Sequence, residues 1–217
     1  MGCMGQAKQR GTFEQRKAQS QTSLASALLS GMDAALASAP EKLACAQGCS
    51  YCCHYHVYVY PHEVFALADY IRTLAEDAQG QIRRALLANV ERIESMSVDE
   101  HIATNIACAL LQNGLCSAYS VRPSACRQHH SLDGVSCKVT FYDTASPMQN
   151  IISAQRMANS ARYILQMTRK LRASGYDITR YEMNRALLEA LSDPGCRDRW
   201  NQGQKTFITV VDTTTEI

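Results

Sequence analysis

The sequence predicts a mainly α protein, an irregular helical domain with minor extended segments. Three observations carry this. Several stretches space apolar residues at helical intervals, as Val64, Leu67, Ala68 and Ile71 do. A single short stretch, 54–60, alternates with a period of two. Pro40, Pro61 and Pro123 punctuate the chain where helices are expected to stop or start.

Taken in order, the first ten residues are polar and aperiodic and read as disordered. A weakly amphipathic helix is expected from Phe13 to Ser38, with Leu24, Leu28 and Ala35 on its apolar side and Pro40 ending it. Tyr55, Val57 and Val59 alternate with His54, His56, Tyr58 and Tyr60, which favours a short extended segment. Pro61 suits a first helical position, where its missing N–H costs nothing, and Glu63 complements the positive helix end. Gly80 is expected to separate this helix from another over 81–96, whose buried face is Ile82, Leu86, Leu87, Val90 and Ile93. Residues 98–111 also read as helix, and Asn113-Gly114 as a turn. Pro123 is expected to open a helix that holds Cys126 in its first turn. Residues 133–147 read as loop, 148–172 as a long helix ended by Gly175, and 181–191 as another helix. The apolar residues at 151, 152, 157, 161, 164, 165 and 171 read as a core-facing stripe. The tail carries Trp200 and a β-prone run over 207–211. The chain divides into an N-terminal arm with a helix (1–42), a cysteine-rich domain (43–140) and C-terminal helices packing on it (141–217).

A chain of 217 residues buries a core without covalent staples, so its ten cysteines need another purpose. The net charge of +2 argues against a nucleic-acid surface. No apolar stretch is long enough for a membrane span. The stretch from Leu24 to Ala39 is interrupted by Ser26, Ser30 and Asp33, unlike a signal peptide, and Met1-Gly2-Cys3 is followed by Gln6 where a myristoylation motif wants Ser or Thr. The expected compartment is the cytoplasm, where thiols stay reduced and clustered cysteines point to metal or redox chemistry.

Cys45, Cys49, Cys52 and Cys53 form the first cluster, four thiols in nine residues. Such spacing lets neighbouring thiolates converge on one ion at little entropic cost, with Gly48 supplying backbone freedom at the turn. The alternative is that 45, 49 and 52 share a helical face and pack as small hydrophobes, which the adjacent Cys52-Cys53 pair weakens. Downstream stand Cys108, Cys116, Cys126 and Cys137, too far apart for a local knuckle. A helix N-terminus at Pro123 favours the thiolate form of Cys126. Arg122 and Arg127 flank it, either as cations offsetting a thiolate-rich shell or as ordinary salt-bridge partners. His54, His56, His129 and His130 lie close enough in sequence to replace a thiolate. Cys3 and Cys196 are isolated and read as ordinary thiols.

The pattern C-x3-C-x2-C-C, followed by C-x7-C-x2-Y-x2-R-P-x2-C-R, resembles the YkgJ-type cysteine-cluster family, the zinc- or iron-chelating CxxCxxCC domains found mainly in bacteria. Cys45, Cys49, Cys52, Cys53, Cys108, Gly114, Cys116, Tyr119, Arg122, Pro123, Cys126 and Arg127 carry the resemblance, with the run into Pro61-His62-Glu63, over about residues 43–137. Ala109 stands where the family often has Pro, and Ser50 where it often has Gly. The resemblance implies metal chelation, with Cys45, Cys49, Cys52, Cys53, Cys108, Cys116 and Cys126 as ligands, zinc or iron as the ion, and metal-stapled cysteine loops in the fold. Seven or eight thiols exceed one four-coordinate site and could fill two sites, a binuclear site or an iron–sulfur cluster.

Three functions compete. The metal is structural or stored; or the chain is an iron–sulfur protein with a redox or protein-modification role; or the metal staples a scaffold that binds another protein through the N-terminal arm or the helix from Met148. Cys45-x3-Cys49-x2-Cys52 also has the spacing of radical S-adenosylmethionine enzymes, but those need an αβ barrel and this chain has almost no strands. A related cysteine block occurs in proteins that methylate flagellin lysines, which keeps a methylation-type role open by analogy. No nucleophile elbow, phosphate-cradling loop or dinucleotide fingerprint is present, which leans the chain away from an enzyme.

Overall fold

The computed structural model describes residues 13–210, with side chains described from Leu24 onward. The expectations on residues 1–12, Cys3 among them, and on Val211 lie outside the described residues.

The chain is mainly helical with a few two-residue strands. Helix α1 spans Phe13–Ala37 and buries Ala25, Leu29, Met32 and Leu36, a 3.6-residue stripe, against α7 (Ala154–Ala173), α2 (Pro61–Arg72) and α5 (Ser124–Gln128). The expected Leu28 is half-buried beside that stripe.

Pro61 does open α2, and Val64, Leu67, Ala68 and Ile71 are all buried there. The next helix departs from expectation. Helix α3 runs Glu76–Glu94, so Gly80 lies inside it and the break falls at Thr73–Ala75. An interior glycine costs only about 1 kcal/mol against alanine, and Glu76 and Asp77 in the first turn favour the earlier start. Ile82, Leu86 and Ile93 are buried, while Leu87 faces solvent.

The helix expected over 98–111 stops early: α4 spans Val98–Ala103. Beyond it the backbone pairs sideways. Ile106 N–H donates to His54 O at 2.8 Å, and Cys108 N–H to Cys53 O at 2.8 Å. A hairpin follows, β2 (Leu111–Gln112) and β3 (Leu115–Cys116), joined by Asn113-Gly114 with φ of 52° and 76°. Two left-handed residues make the tight turn whose twist matches antiparallel strands. Of the extended segment 54–60, β1 (Tyr58–Val59) forms, pairing antiparallel with β4 (Tyr181–Glu182) in the register Tyr58↔Glu182 and Val59↔Tyr181.

Residues 133–147 are not all loop. Helix α6 spans Gly134–Tyr142, started by Asp133, whose carboxylate accepts from Val135 N–H (3.0 Å) and Ser136 N–H (2.8 Å). The long helix α7 begins at Ala154, six residues later than expected from Met148, with Ser153 as its cap. Of the expected stripe Leu171 is buried, but Ile151, Ile152, Met157 and Leu165 are exposed; Met167, outside that stripe, is buried.

Helix α8 (Met183–Ser192) packs on α2 and α3, and α9 (Cys196–Asn201) carries Trp200 into the core, where it stacks on Tyr176 at 4.3 Å between ring centroids. The run from Phe207 forms no strand over 207–210, because its N–H groups go elsewhere. Buried Glu189 accepts from Ile208 N–H (2.9 Å) and Thr209 N–H (3.0 Å).

Two turns meet beneath this tail. Gly203 has φ +70°, and a Cβ there would stand 2.3 Å from the Gly175 carbonyl oxygen. Gly203→Ala is expected to cost about 2 kcal/mol or more, a drop of roughly 4–8 °C in melting temperature for a chain of this size. An unchanged melting curve would show that the two turns separate freely.

Candidate metal centre

Four segments supply the thiols. The first runs from Cys45 through a turn at Gly48 (φ +86°) into a 3-10 turn, Tyr51–His54. Cys49 N–H donates to Ala46 O and Cys53 N–H to Ser50 O, both at 3.0 Å, so the block is a chain of tight turns rather than a helix. Cys45 and Cys49 are exposed. The core-packing alternative for this block therefore fails: two of its thiols face water, and 45, 49 and 52 share no helical face.

The second segment carries Cys108 and Cys116. The Cys108–Cys53 backbone bond sets it beside the first block, and the hairpin register pairs Cys116 with Leu111. Leu110 N–H points at the Cys108 sulfur, 3.5 Å away. The Gly48 carbonyl oxygen lies 4.0 Å from a Cβ built on Gly114, so the two glycine turns face each other.

The third segment carries Cys126 on α5. Its position is set by Glu63, which accepts from Tyr60 N–H at 3.0 Å and from Ser124 N–H at 2.7 Å, tying the start of α5 to the start of α2. Arg127 is buried and committed to structure. It pairs with Asp33 of α1 and donates to the carbonyls of Arg122 (2.7 Å) and Ser120 (2.5 Å). Arg122 behaves differently. Its guanidinium lies over the Tyr119 ring at 4.1 Å, its buried Nε has no hydrogen-bond partner among the described residues, and its charge favours the thiolates of Cys52 and Cys116. Of the two arginines, Arg127 is the salt-bridge residue and Arg122 is the cation beside sulfur.

The thiols feel one another. The interaction with Cys53, burial and repulsion from Cys53 push the Cys52 thiol far up, while the same interaction lowers Cys53. Cys126 is held far above the ordinary range by burial, then by repulsion from Cys108, Cys52 and Cys116 and by the Glu63 carboxylate. The lowering expected from a helix N-terminus is thus reversed: α5 has five residues, and burial outweighs its end. Cys116 is raised by burial, offset by the Ala118 N–H and Arg122.

Burial pushes Cys108 up to about 11. A folded-state value above the unfolded one contributes stability that is complete below the ordinary thiol range, roughly 8.5, and is lost as pH rises through the folded value. The metal-free protein is therefore expected to melt at progressively lower temperature from about pH 9 to pH 11, and Cys108→Ser to flatten part of that fall. Identical profiles for the two proteins would count against a buried neutral thiol there.

The histidines divide. Both nitrogens of buried His130 are used, Nδ1 with Gln128 O (2.6 Å) and Nε2 accepting from Ser153 N–H (2.8 Å). His54 Nδ1 lies 3.0 Å from Ser50 O, and His129 and His56 are held low by burial against Tyr55 and beside His101. Cys196 is buried under α8 and donates to Asp193 O, away from this cluster.

Cys137, which the sequence motif does not securely include, lies on α6. The Asp133-Gly134 start of α6 was the signal that could have found it. Its thiol is raised by burial and by repulsion from Cys45, Cys49 and Cys52.

A helical scaffold that gathers reduced thiols from distant segments, with a cation beside them, has the donor chemistry of a site for a thiophilic metal. Among the described residues no three Cys, His, Asp or Glu side chains already stand as a shell around one ion position. The chain belongs to the CxxCxxCC family, described as a putative zinc- or iron-chelating domain, whose profile matches residues 44–154. That match takes in all four thiol segments, α6 with Cys137 being the fourth. No curated protein and no solved structure matches the chain. Among the described residues no helix is long and apolar enough to cross a membrane.

Proposed function

We propose that this is a cytoplasmic protein that binds zinc or iron through Cys45, Cys49, Cys52, Cys53, Cys108, Cys116 and Cys126, with the metal structural or stored. The observation that carries the reading is the backbone hydrogen bond from Cys108 N–H to Cys53 O at 2.8 Å, which sets the two cysteine blocks side by side although they are far apart in the chain. Every cysteine of the two blocks is a free thiol. A metal ion recovers the repulsion that now raises Cys126, because it binds the thiolate form that burial alone disfavours.

The test is elemental analysis and an optical spectrum of protein purified without oxygen. Zinc with no visible absorption, or iron without sulfide, supports the closed chelating site. Iron with acid-labile sulfide would replace it by an iron–sulfur cluster and a redox or modification role. Absence of any bound metal, with none taken up on titration, overturns the reading.

A further inference from the structure

We infer that the outward face of α7 is a docking surface for another protein, one that presents an amphipathic helix with acidic side chains along its edge. The surface involves none of the cysteines, so it stands apart from the metal-binding reading.

Two sides of α7 are already used. Ser160, Met167 and Leu171 face the core. A second side is tied to α1: Arg156 Nη1 donates to Leu36 O (2.8 Å), Asn159 Nδ2 to Ser38 Oγ (2.8 Å) and Tyr163 OH to Leu28 O (2.5 Å). The third side faces away from both and is apolar along its length. Ala154, Ala158, Ala161 and Leu165 are all exposed there, alternately four and three residues apart, the spacing that keeps one seam of a helix turned toward a second helix. Met157 borders the seam, and Ile151 and Ile152 head it; Leu165 is 50% exposed and Ile151 56%. That head is held in place, because Leu132 N–H donates to Ile151 O at 2.7 Å. The apolar face is therefore part of the ordered scaffold.

Charge says what covers it. All twenty acidic residues of the chain lie outside 144–176, while Arg156, Arg162, Arg169, Lys170 and Arg172 lie inside. Lys170 and Arg172 complement the negative end of the helix. Arg162 and Arg169 need another reason. They are exposed, seven residues apart on one edge of the seam, and neither pairs with a carboxylate among the described residues. Charges at such edge positions select the partner of a helix pair. A second copy of this face brings no carboxylate to meet them. An anionic membrane would supply charge, but the exposed side of α7 carries no aromatic anchor, and its alanines give little surface to insert. Those alanines instead leave a shallow floor into which the large side chains of an approaching helix fit. The matching partner has Leu, Ile or Met over Ala158 and Ala161, and Asp or Glu opposite Arg162 and Arg169.

The test is photo-crosslinking of the full chain in the cells that produce it, with a benzophenone amino acid replacing Leu165 or, separately, Met157. The adduct is digested and the attached peptide sequenced. The expected peptide comes from a different protein and has apolar residues at alternate three- and four-residue steps with Asp or Glu beside them. The double variant Arg162→Glu, Arg169→Glu should cut the yield at least about tenfold by setting like charges together. Both positions are exposed, so its melting temperature and metal content should stay those of wild type. The same probe at Leu87, exposed on α3, should not yield that peptide. A peptide of this chain would show a second copy on the face, and a lipid adduct would show a membrane; either overturns the inference. So does a partner peptide without acidic residues, an undiminished yield in the charge-reversed variant, or no adduct at either position. None of these results bears on whether the cysteines hold a metal.

Discussion

Cys126→Ser is expected to lower metal affinity and melting temperature together, and by more than any other single cysteine change. Losing a ligand should exceed the roughly 10–100-fold cost of losing an outer-shell partner. Structural thiolate sites contribute on the order of 10 kcal/mol to folding, so a large part of that coupling goes with it. Cys126 has the most to lose because it is buried, repelled by Cys108, Cys52 and Cys116, and carried on a helix of only five residues. Cys49→Ser, on an exposed turn, should lower affinity with a smaller stability loss. The comparison is made by metal analysis and calorimetry on the same preparations. A Cys126→Ser protein with wild-type metal content and melting temperature would remove Cys126 from the site.

Glu63→Leu is expected to cost about 3 kcal/mol, which is roughly 6–12 °C in melting temperature for a chain of this length. The side chain is 1% exposed and takes two backbone N–H groups, Tyr60 and Ser124, from the starts of two helices. Leucine fills the space and leaves both donors buried without an acceptor. Because Ser124 begins the helix that carries Cys126, metal affinity should fall as well, while Glu63→Gln, which keeps an acceptor, should recover much of both losses. Equal melting temperatures for the leucine variant and wild type would mean that water replaces the carboxylate.

The legible parts of the chain were those decided locally. Pro61 and the apolar spacing behind it mark α2 because capping and periodicity act within a turn or two. Asn113-Gly114 marks its hairpin because few residues accept left-handed backbone. The family and its cysteine spacing were legible for the same reason. What sequence could not show was decided between distant segments. The 98–111 helix ends early because Ile106 and Cys108 bond to His54 and Cys53. The β-prone tail forms no strand over its described residues because Glu189 takes its N–H groups. Cys137 stayed open because it falls at the edge of the motif, and Ile151, Ile152, Met157 and Leu165 are exposed among the described residues although their spacing reads as a core stripe. The Arg122–Arg127 distinction depends on Asp33, which sits 94 residues from Arg127 in the chain.

The pairing of Tyr58–Val59 with Tyr181–Glu182 reaches from inside the family match to well beyond its end at residue 154. Val59, Leu67 and Ile71 are covered in part by residues that follow this boundary, among them Leu187 and Met183. The inherited module and the folding unit therefore have different edges. Excising 44–154 would keep every thiol of the cluster and strip the roof from the core that holds them in register. Any transplant of this centre into another chain has to bring α8 along, or supply an apolar surface of the same shape.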